Sequence, residues 1–281
     1  MSPLLRGFYT AASGMISQQR KTDMLTNNMA NSNTPGYKVD QSSMRSFPEM
    51  LLRRYDSLQG PKENGLRLAN RPVVGELSTG VYMQETVPNF LQGDLRETDR
   101  NTDVALLDVD MPINEVGIPG ATFFMVQNEE GNVRYTRNGT FTLDGNGFLT
   151  TSSGLYILDD AGEPISLQNE NFRVDETGVL YENDAPVARL GIAYSENPNT
   201  LEKEGAGLFS LEGNAVLPLA YDNLEANFRT QQGFIEGSNV DVQRTMTDML
   251  SAYRTFEANQ KVLQAYDKSM DKAVNEIGRL N

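Results

Sequence analysis

Five short segments carry side chains of a type and spacing that chemistry could use. Asp144-x-Asn146 has the opening of a calcium loop, where hard oxygen ligands alternate along the chain. Positions 148 and 149 are Phe and Leu, however, and no closing Glu stands at the required offset. The stretch Asp144-Gly145-Asn146-Gly147 reads instead as a two-residue hairpin connection between 140–143 and 148–150. Glu129-Glu130 and Asp159-Asp160 offer paired carboxylates, the groups that run glycoside hydrolysis. Adjacent acids on a turn point apart and are solvated, so a surface role is the better reading. Gly205-Ala206-Gly207 lacks the following helix and the Lys of a phosphate-binding loop. Asn138-Gly139-Thr140 matches a glycosylation sequon but falls inside an expected hairpin turn. No nucleophile, base and oxyanion donor come together anywhere, and no catalytic, metal-binding or cofactor-binding residue is expected.

Composition narrows the chemistry further. The 281 residues contain no Cys and no His. Thiol catalysis, disulfides, thiolate metal sites and the Ser-His-Asp triad are therefore excluded. A formal net charge of −14 argues against nucleic acid and against adsorption to an anionic membrane. The charge is uneven. Residues 1–54 carry seven basic and three acidic side chains, 238–281 carry six of each, and 55–237 carry 11 basic and 29 acidic. No window approaches the roughly 18 apolar residues of a membrane span. The opening residues have no basic region followed by a continuous apolar stretch, so a secretory signal is not expected there.

The two ends read as amphipathic helices. In the first, Leu4, Ala11, Gln18 and Leu25 alternate with Phe8, Met15, Thr22 and Met29 at spacings of four and three. This helix should stop within 31–36, where Pro35 disfavours helix at Thr34 and Gly36 permits a turn. In the second, Val242, Met249, Phe256, Leu263, Met270 and Ile277 recur every seventh residue, flanked by Met246, Tyr253 and Val274 and interrupted by Gln260 and Asp267. Gly237-Ser238-Asn239 offers the N-cap, and the helix is expected to run about 40 residues. Such narrow stripes need partner helices. The candidate subunit-interface residues are Leu4, Phe8, Met15, Leu25, Met29, Val242, Met249, Phe256, Leu263, Met270 and Ile277.

Between the ends, short apolar runs such as 104–107, 122–126 and 155–158 alternate with turn residues every eight to twelve positions. The expected fold class is α+β, an antiparallel all-β middle inserted between long N- and C-terminal coiled-coil-type helices. The expected divisions are an N-terminal helix over 1–35, an extended connecting segment over 36–78, a β domain over 79–224, a return connection over 225–239 that pairs with 36–78, and a C-terminal helix over 240–281.

Several segments resemble a known family. Thr10-Ala11-Ala12-Ser13-Gly14-Met15, and then Asn27-Asn28-Met29-Ala30-Asn31-Ser32-Asn33-Thr34-Pro35-Gly36-Tyr37-Lys38, look like the N-terminal signature of the bacterial flagellar rod and hook proteins. Gln92-Gly93-Asp94-Leu95, Thr102-Asp103-Val104-Ala105, Tyr135-Thr136-Arg137-Asn138-Gly139 and Gln232-Gly233-Phe234-Ile235-Glu236-Gly237-Ser238-Asn239-Val240-Asp241 resemble the same family further along. The match marks Asn27, Asn28, Asn31, Thr34, Pro35, Gly36 and Tyr37 as family-motif positions. The resemblance implies a structural subunit of the basal-body rod, best matched to the distal-rod type. It implies that terminal helices form an inner tube around a channel, that the β domain lies outside, and that the assembly transmits torque. It also implies export through the flagellum's own apparatus, partners that are copies of itself and other rod and hook subunits, no membrane insertion, and a place in the cell envelope outside the cytoplasm. One departure stands out. Between Asp108 and Phe123-Phe124 the chain carries an insertion of roughly ten residues, 109–120, expected to extend a hairpin. The alternatives from other classes are a cell-wall glycan-binding or glycan-hydrolysing β-protein and another extracellular fibre subunit.

Overall fold

The computed structural model describes residues 3–48, 50–53, 73–77, 79–115, 117–223 and 225–277. Of the expected connecting segment 36–78, residues 49, 54–72 and 78 fall outside them. The chain forms two compact units. One comprises Met1–Thr26, Ser42–Thr86 and Gln243–Asn281, and the other Asn27–Gln41 and Val87–Val242.

The first unit holds most of helix α1 (Pro3–Ala30) and helix α2 (Val242–Lys272). On α1 the predicted row is the covered one. Ala11 and Leu25 are buried, and Phe8, Met15, Gln18, Thr22 and Met29 are half-buried, while Tyr9 and Ile16 face solvent. A second covered face carries Ser13 and Ser17. The Ser17 hydroxyl donates to the Val81 carbonyl at 3.0 Å, and the Val81 N–H donates to Ser13 Oγ at 3.3 Å. Those contacts dock the ribbon of Asp40–Ser46 and Val81–Pro88 along the helix.

On α2 the row Met249, Phe256, Leu263 and Met270 is half-buried, as its spacing predicts. Its flank differs from expectation. The companion row lies four residues before each seam position and holds Thr245, Ala252, Asn259, Tyr266 and Ala273, with Thr245 and Ala252 buried. The expected flank, Met246, Tyr253 and Val274, is exposed, and so is Val242, at 46%. Both rows neighbour the heptad seam on a helix of 3.6 residues per turn. Apolar content favours the row that faces solvent. Close approach needs small side chains, and that selects the other. Gln260 and Asp267 are exposed and do not interrupt the seam. The α-helix ends at Lys272 and continues as one π turn, Ala273–Ile277, within the described residues. The side chains of Leu4 and Ile277 lie outside the described residues.

Gly7 and Gly14 are where the two helices meet. A Cβ on Gly7 would fall on the Tyr266 hydroxyl, and one on Gly14 would stand 3.0 Å from the Asn259 amide. Further along, the Thr26 hydroxyl is 3.8 Å from the Met249 sulfur. These pairs advance on α1 as they retreat on α2, so the helices run antiparallel.

The second unit is an antiparallel β body. Strand Ala121–Gln127 is its centre, hydrogen-bonded to Val133–Thr136, Tyr156–Ile157 and Ile192–Ser195. Its continuous apolar run reflects burial on both faces. Phe124 and Val126 point into one cluster with Phe141, Leu149, Ile157 and Ile192. Phe123 and Met125 point into another with Phe90, Tyr135, Leu201 and Phe209. The return segment meets 36–78 only at its end, where the Gly36 N–H donates to the Glu236 carbonyl and the Asn239 N–H to the Tyr37 carbonyl among the described residues, and its strands pair elsewhere. Asn227–Gln232 pairs with Val104–Asp110, and Phe234–Glu236 pairs with Leu95–Glu97. Its apolar and β-branched residues find partners inside the β body before the chain reaches α2.

Six connections in this unit share one scheme, starting at Asn114, Asn128, Asp144, Thr151, Asp159 and Asp175. In each, the side-chain oxygen accepts from the N–H four residues on. The carbonyl of the same residue accepts from the N–H three residues on, which belongs to a glycine with φ between 81° and 87°. The connection at Asp144 is accordingly longer than the expected two residues, since Leu143 pairs with Leu149. The inserted segment 109–120 is a hairpin of the same build, closed by the Asn114 turn and a bridge between Ile113 and Pro119.

Candidate assembly interface and its anchor

The family-motif residues gather at the C-terminal end of α1. Asn28, 1% exposed, docks on the backbone of residue 40. Its Nδ2 donates to the Asp40 carbonyl at 2.8 Å, and its Oδ1 accepts from the Asp40 N–H at 2.9 Å. The buried Tyr37 hydroxyl reaches Asn27 Oδ1 at 2.8 Å and Asn28 Oδ1 at 3.0 Å. Burial, reinforced by the Asp40 carboxylate, raises the Tyr37 phenol well above its ordinary value. The Lys203 ammonium lies over the Tyr37 ring and pairs with Asp40 at 3.0 Å. Asn31 and Thr34 form the turn itself, with the Thr34 N–H donating to the Asn31 carbonyl at 3.1 Å. Pro35 ends helical propagation, and Gly36 takes φ 68°. A Cβ at Gly36 would stand 2.5 Å from the Arg137 carbonyl carbon, so both the backbone angle and the space require glycine.

Directly after this turn the chain enters a buried charge cluster. Lys38 donates to Glu236 Oε1 at 2.6 Å and to the Leu91 carbonyl at 2.9 Å. Arg137 donates to Glu236 Oε2 at 2.8 Å, to Asp108 Oδ2 at 2.9 Å and to the Thr122 carbonyl at 2.7 Å. The Gly93 N–H also reaches Glu236 Oε1 at 2.8 Å. Two cations and two anions thus balance, with their hydrogen-bonding groups satisfied, which is the condition for tolerating buried charge. Burial and the neighbouring Arg137 charge push Lys38 down to about 8, against the pull of Glu236. Burial would raise the Glu236 carboxyl, but Arg137 and Lys38 outweigh it and hold the group below the usual range. Arg137 moves up: burial opposes its charge, and Asp108 and Glu236 more than offset that.

The cluster fixes two strands of chain side by side. The Gly36 N–H donates to the Glu236 carbonyl at 2.8 Å. Asn239 Oδ1 accepts from the Val39 N–H at 2.7 Å, and its Nδ2 donates to the Asn89 and Leu91 carbonyls. Lys38, Asp108, Arg137 and Glu236 were not expected as site residues. Each reads in sequence as a solvated charge, and their only signal is that three of them sit in segments resembling the family.

The chemically suggestive segments are turns. Asp144 and Asp159 spend a carboxylate oxygen on their own turn's N–H groups. The Asn138 side chain accepts from the Thr140 N–H. Gly205-Ala206-Gly207 connects Leu201–Gly205 to Leu208–Leu211. Among the described residues no group of three Asp or Glu is placed to hold a metal ion, and no helix is long and apolar enough to cross a membrane.

A β body whose entering and leaving segments are clamped together and continue into two amphipathic helices has the architecture of a structural subunit. Residues 8–38 match the family described as flagella basal body rod protein, 117–184 the flagellar hook protein FlgE/F/G D1 domain, and 231–276 the flagellar basal body rod FlgEFG protein C-terminal. The chain is 46% identical to the flagellar hook-basal body complex protein FlhO of Bacillus subtilis (strain 168), over 99% of this chain and 100% of that one. It is 29% identical to the flagellar basal-body rod protein FlgG of Borreliella burgdorferi (97% and 98% covered) and 28% identical to FlgF of Caulobacter vibrioides (97% and 98%). The chain belongs to the flagellar hook and basal-body rod family.

Proposed function

We propose that this chain is a structural subunit of the flagellar basal-body rod that polymerises into a helical tube through its terminal helices and transmits torque. In that reading the helices over 1–35 and 240–281 pack as a coiled coil with those of neighbouring subunits, the segments 36–78 and 225–239 connect, and the β domain over 79–224 forms the outer layer. Partners are copies of itself and other rod and hook subunits. The chain passes through the flagellar export apparatus and works in the cell envelope, outside the cytoplasm and without membrane insertion.

The observation that carries this reading is on α2. Val242, Met246, Leu250 and Tyr253 form an exposed apolar stripe beside the seam, at 46%, 52%, 48% and 60% exposure. The seam residues Met249, Phe256, Leu263 and Met270 remain only half-buried. Both rows are left to be completed by neighbouring helices, as are Phe8, Met15 and Met29 on α1. Met246→Glu with Tyr253→Glu tests this. The expected result is a chain that melts like the wild type but no longer pellets as polymer. Wild-type polymerisation by the double variant would contradict it.

A further inference from the structure

The insertion 109–120 builds an apolar knob beside an apolar cleft. The knob is Ile113, 69% exposed at the end of a hairpin closed by the Asn114 turn and by a Gly120 N–H bond to the Pro112 carbonyl at 3.0 Å. The Asn114 amide also reaches the Glu196 carbonyl. The cleft has a volume of about 320 Å³ and is lined by Pro88, Phe90, Leu91, Ile118, Pro119 and Pro198, with amide and small residues completing it.

Two features point to its occupant. The lining contains no charged side chain, although residues 55–237 carry 29 acidic against 11 basic groups. Like-charged bodies repel over most of such a surface, and an uncharged patch is where two copies can approach. The other feature is where the β body leaves large apolar side chains exposed. Among the described residues of 87–241 these are Leu91, Val109, Ile113, Val187 and Val216, and three of the five lie on this hairpin or this cleft. Knob and hole are separate patches of one chain, bridged at Ile113 and Pro119, so one copy can offer its knob to the hole of the next, and contacts of that head-to-tail kind propagate into helical filaments. The hairpin's backbone bonds and the proline rings of the cleft limit how much docking must order.

We propose that Ile113 of one copy seats in the Pro88–Leu91–Pro119 cleft of the next copy, giving the β bodies a contact of their own in the polymer. This rests on the rod-subunit reading. The chain has no cysteine, so single cysteines report the contact cleanly. Full-length Ile113→Cys is mixed with tagged Leu91→Cys, polymerised, pelleted and then oxidised, with Ile113→Cys plus Val187→Cys as the reference. A disulfide needs its Cβ atoms within about 4.5 Å, so the first mixture should give at least about tenfold more mixed dimer than the reference. As a second arm, Ile113→Asp should lower polymer yield while the β body melts unchanged. Polymer with equal dimer in both mixtures, or dimer dominated by Ile113→Cys with itself, overturns the contact and hands the cleft to another occupant. Failure to pellet at all, read before the gel, would count against the rod-subunit reading as well.

Discussion

Lys38 and Glu236 stand 198 positions apart in sequence and 2.6 Å apart in space, each side chain 1% exposed. One follows the turn that ends α1, and the other closes the last strand before α2. Their pairing, shared with Arg137 and Asp108, joins the chain's entry into the β body to its exit.

Arg137 is the member that touches both anions. Arg137→Met leaves Asp108 and Glu236 facing each other without their shared partner, and should cost about 3–5 kcal/mol. Lys38→Met leaves Glu236 still paired with Arg137 and should cost distinctly less. Urea midpoints of the two variants check the order, and a larger loss for Lys38→Met would contradict it.

The cluster also predicts a pH profile. Lys38 sits at about 8 in the folded chain against an ordinary 10.5. Between those values the folded state has released a proton that the unfolded state still holds, so this group's contribution to stability rises with pH across that window. Glu236 acts at the other end, because its lowered value makes stability fall as pH drops through the carboxylate range. Tyr37, raised in the fold, loses its contribution as pH climbs beyond the ordinary phenol value of 10. Urea midpoints across pH 7 to 10 for wild type and Lys38→Met isolate the first effect. The wild-type curve should rise relative to the variant, and parallel curves would contradict the assignment.

Gly36→Ala places a methyl against the Arg137 backbone and a side chain at φ 68°. Strain and overpacking together should cost about 2–4 kcal/mol. Differential scanning of the full chain reads it, and an unchanged melting temperature would show that the turn can rearrange.

Phe256→Ala and Leu263→Ala remove seam side chains that are half-buried in the single chain. Their full cost, roughly 2–5 kcal/mol for a packed core, should appear only on assembly. Polymer yield should collapse while the monomer melts within a few degrees of wild type. A monomer that melts far lower would place the seam in the subunit's own core.

Much of this was readable from residue order, for identifiable reasons. Met249, Phe256, Leu263 and Met270 are large, apolar and seven apart, so their row announces itself. Thr245, Ala252 and Asn259 are small or polar, and only the presence of α1 shows that they face it. The turns at Asp144 and Asp159 carry their own instructions, because the acid at the first position and the glycine at the fourth both act locally. The sheet order was not legible. Nothing in Ile192–Ser195 shows that it will lie beside Ala121–Gln127, seventy residues back. Nor could Lys38, Asp108, Arg137 and Glu236 be assembled from a single sequence, since a buried ion pair and a solvated charge are spelled alike.

The central claim is that the helical ends complete their packing only between subunits, while the β body stands without them. Amide hydrogen exchange on the full chain, as verified monomer and as polymer, tests it most directly. Residues 6–26 and 245–273 should exchange rapidly in the monomer and become protected in the polymer, with 104–110 and 121–127 protected in both. Equal, strong protection of both ends in the monomer would contradict the account.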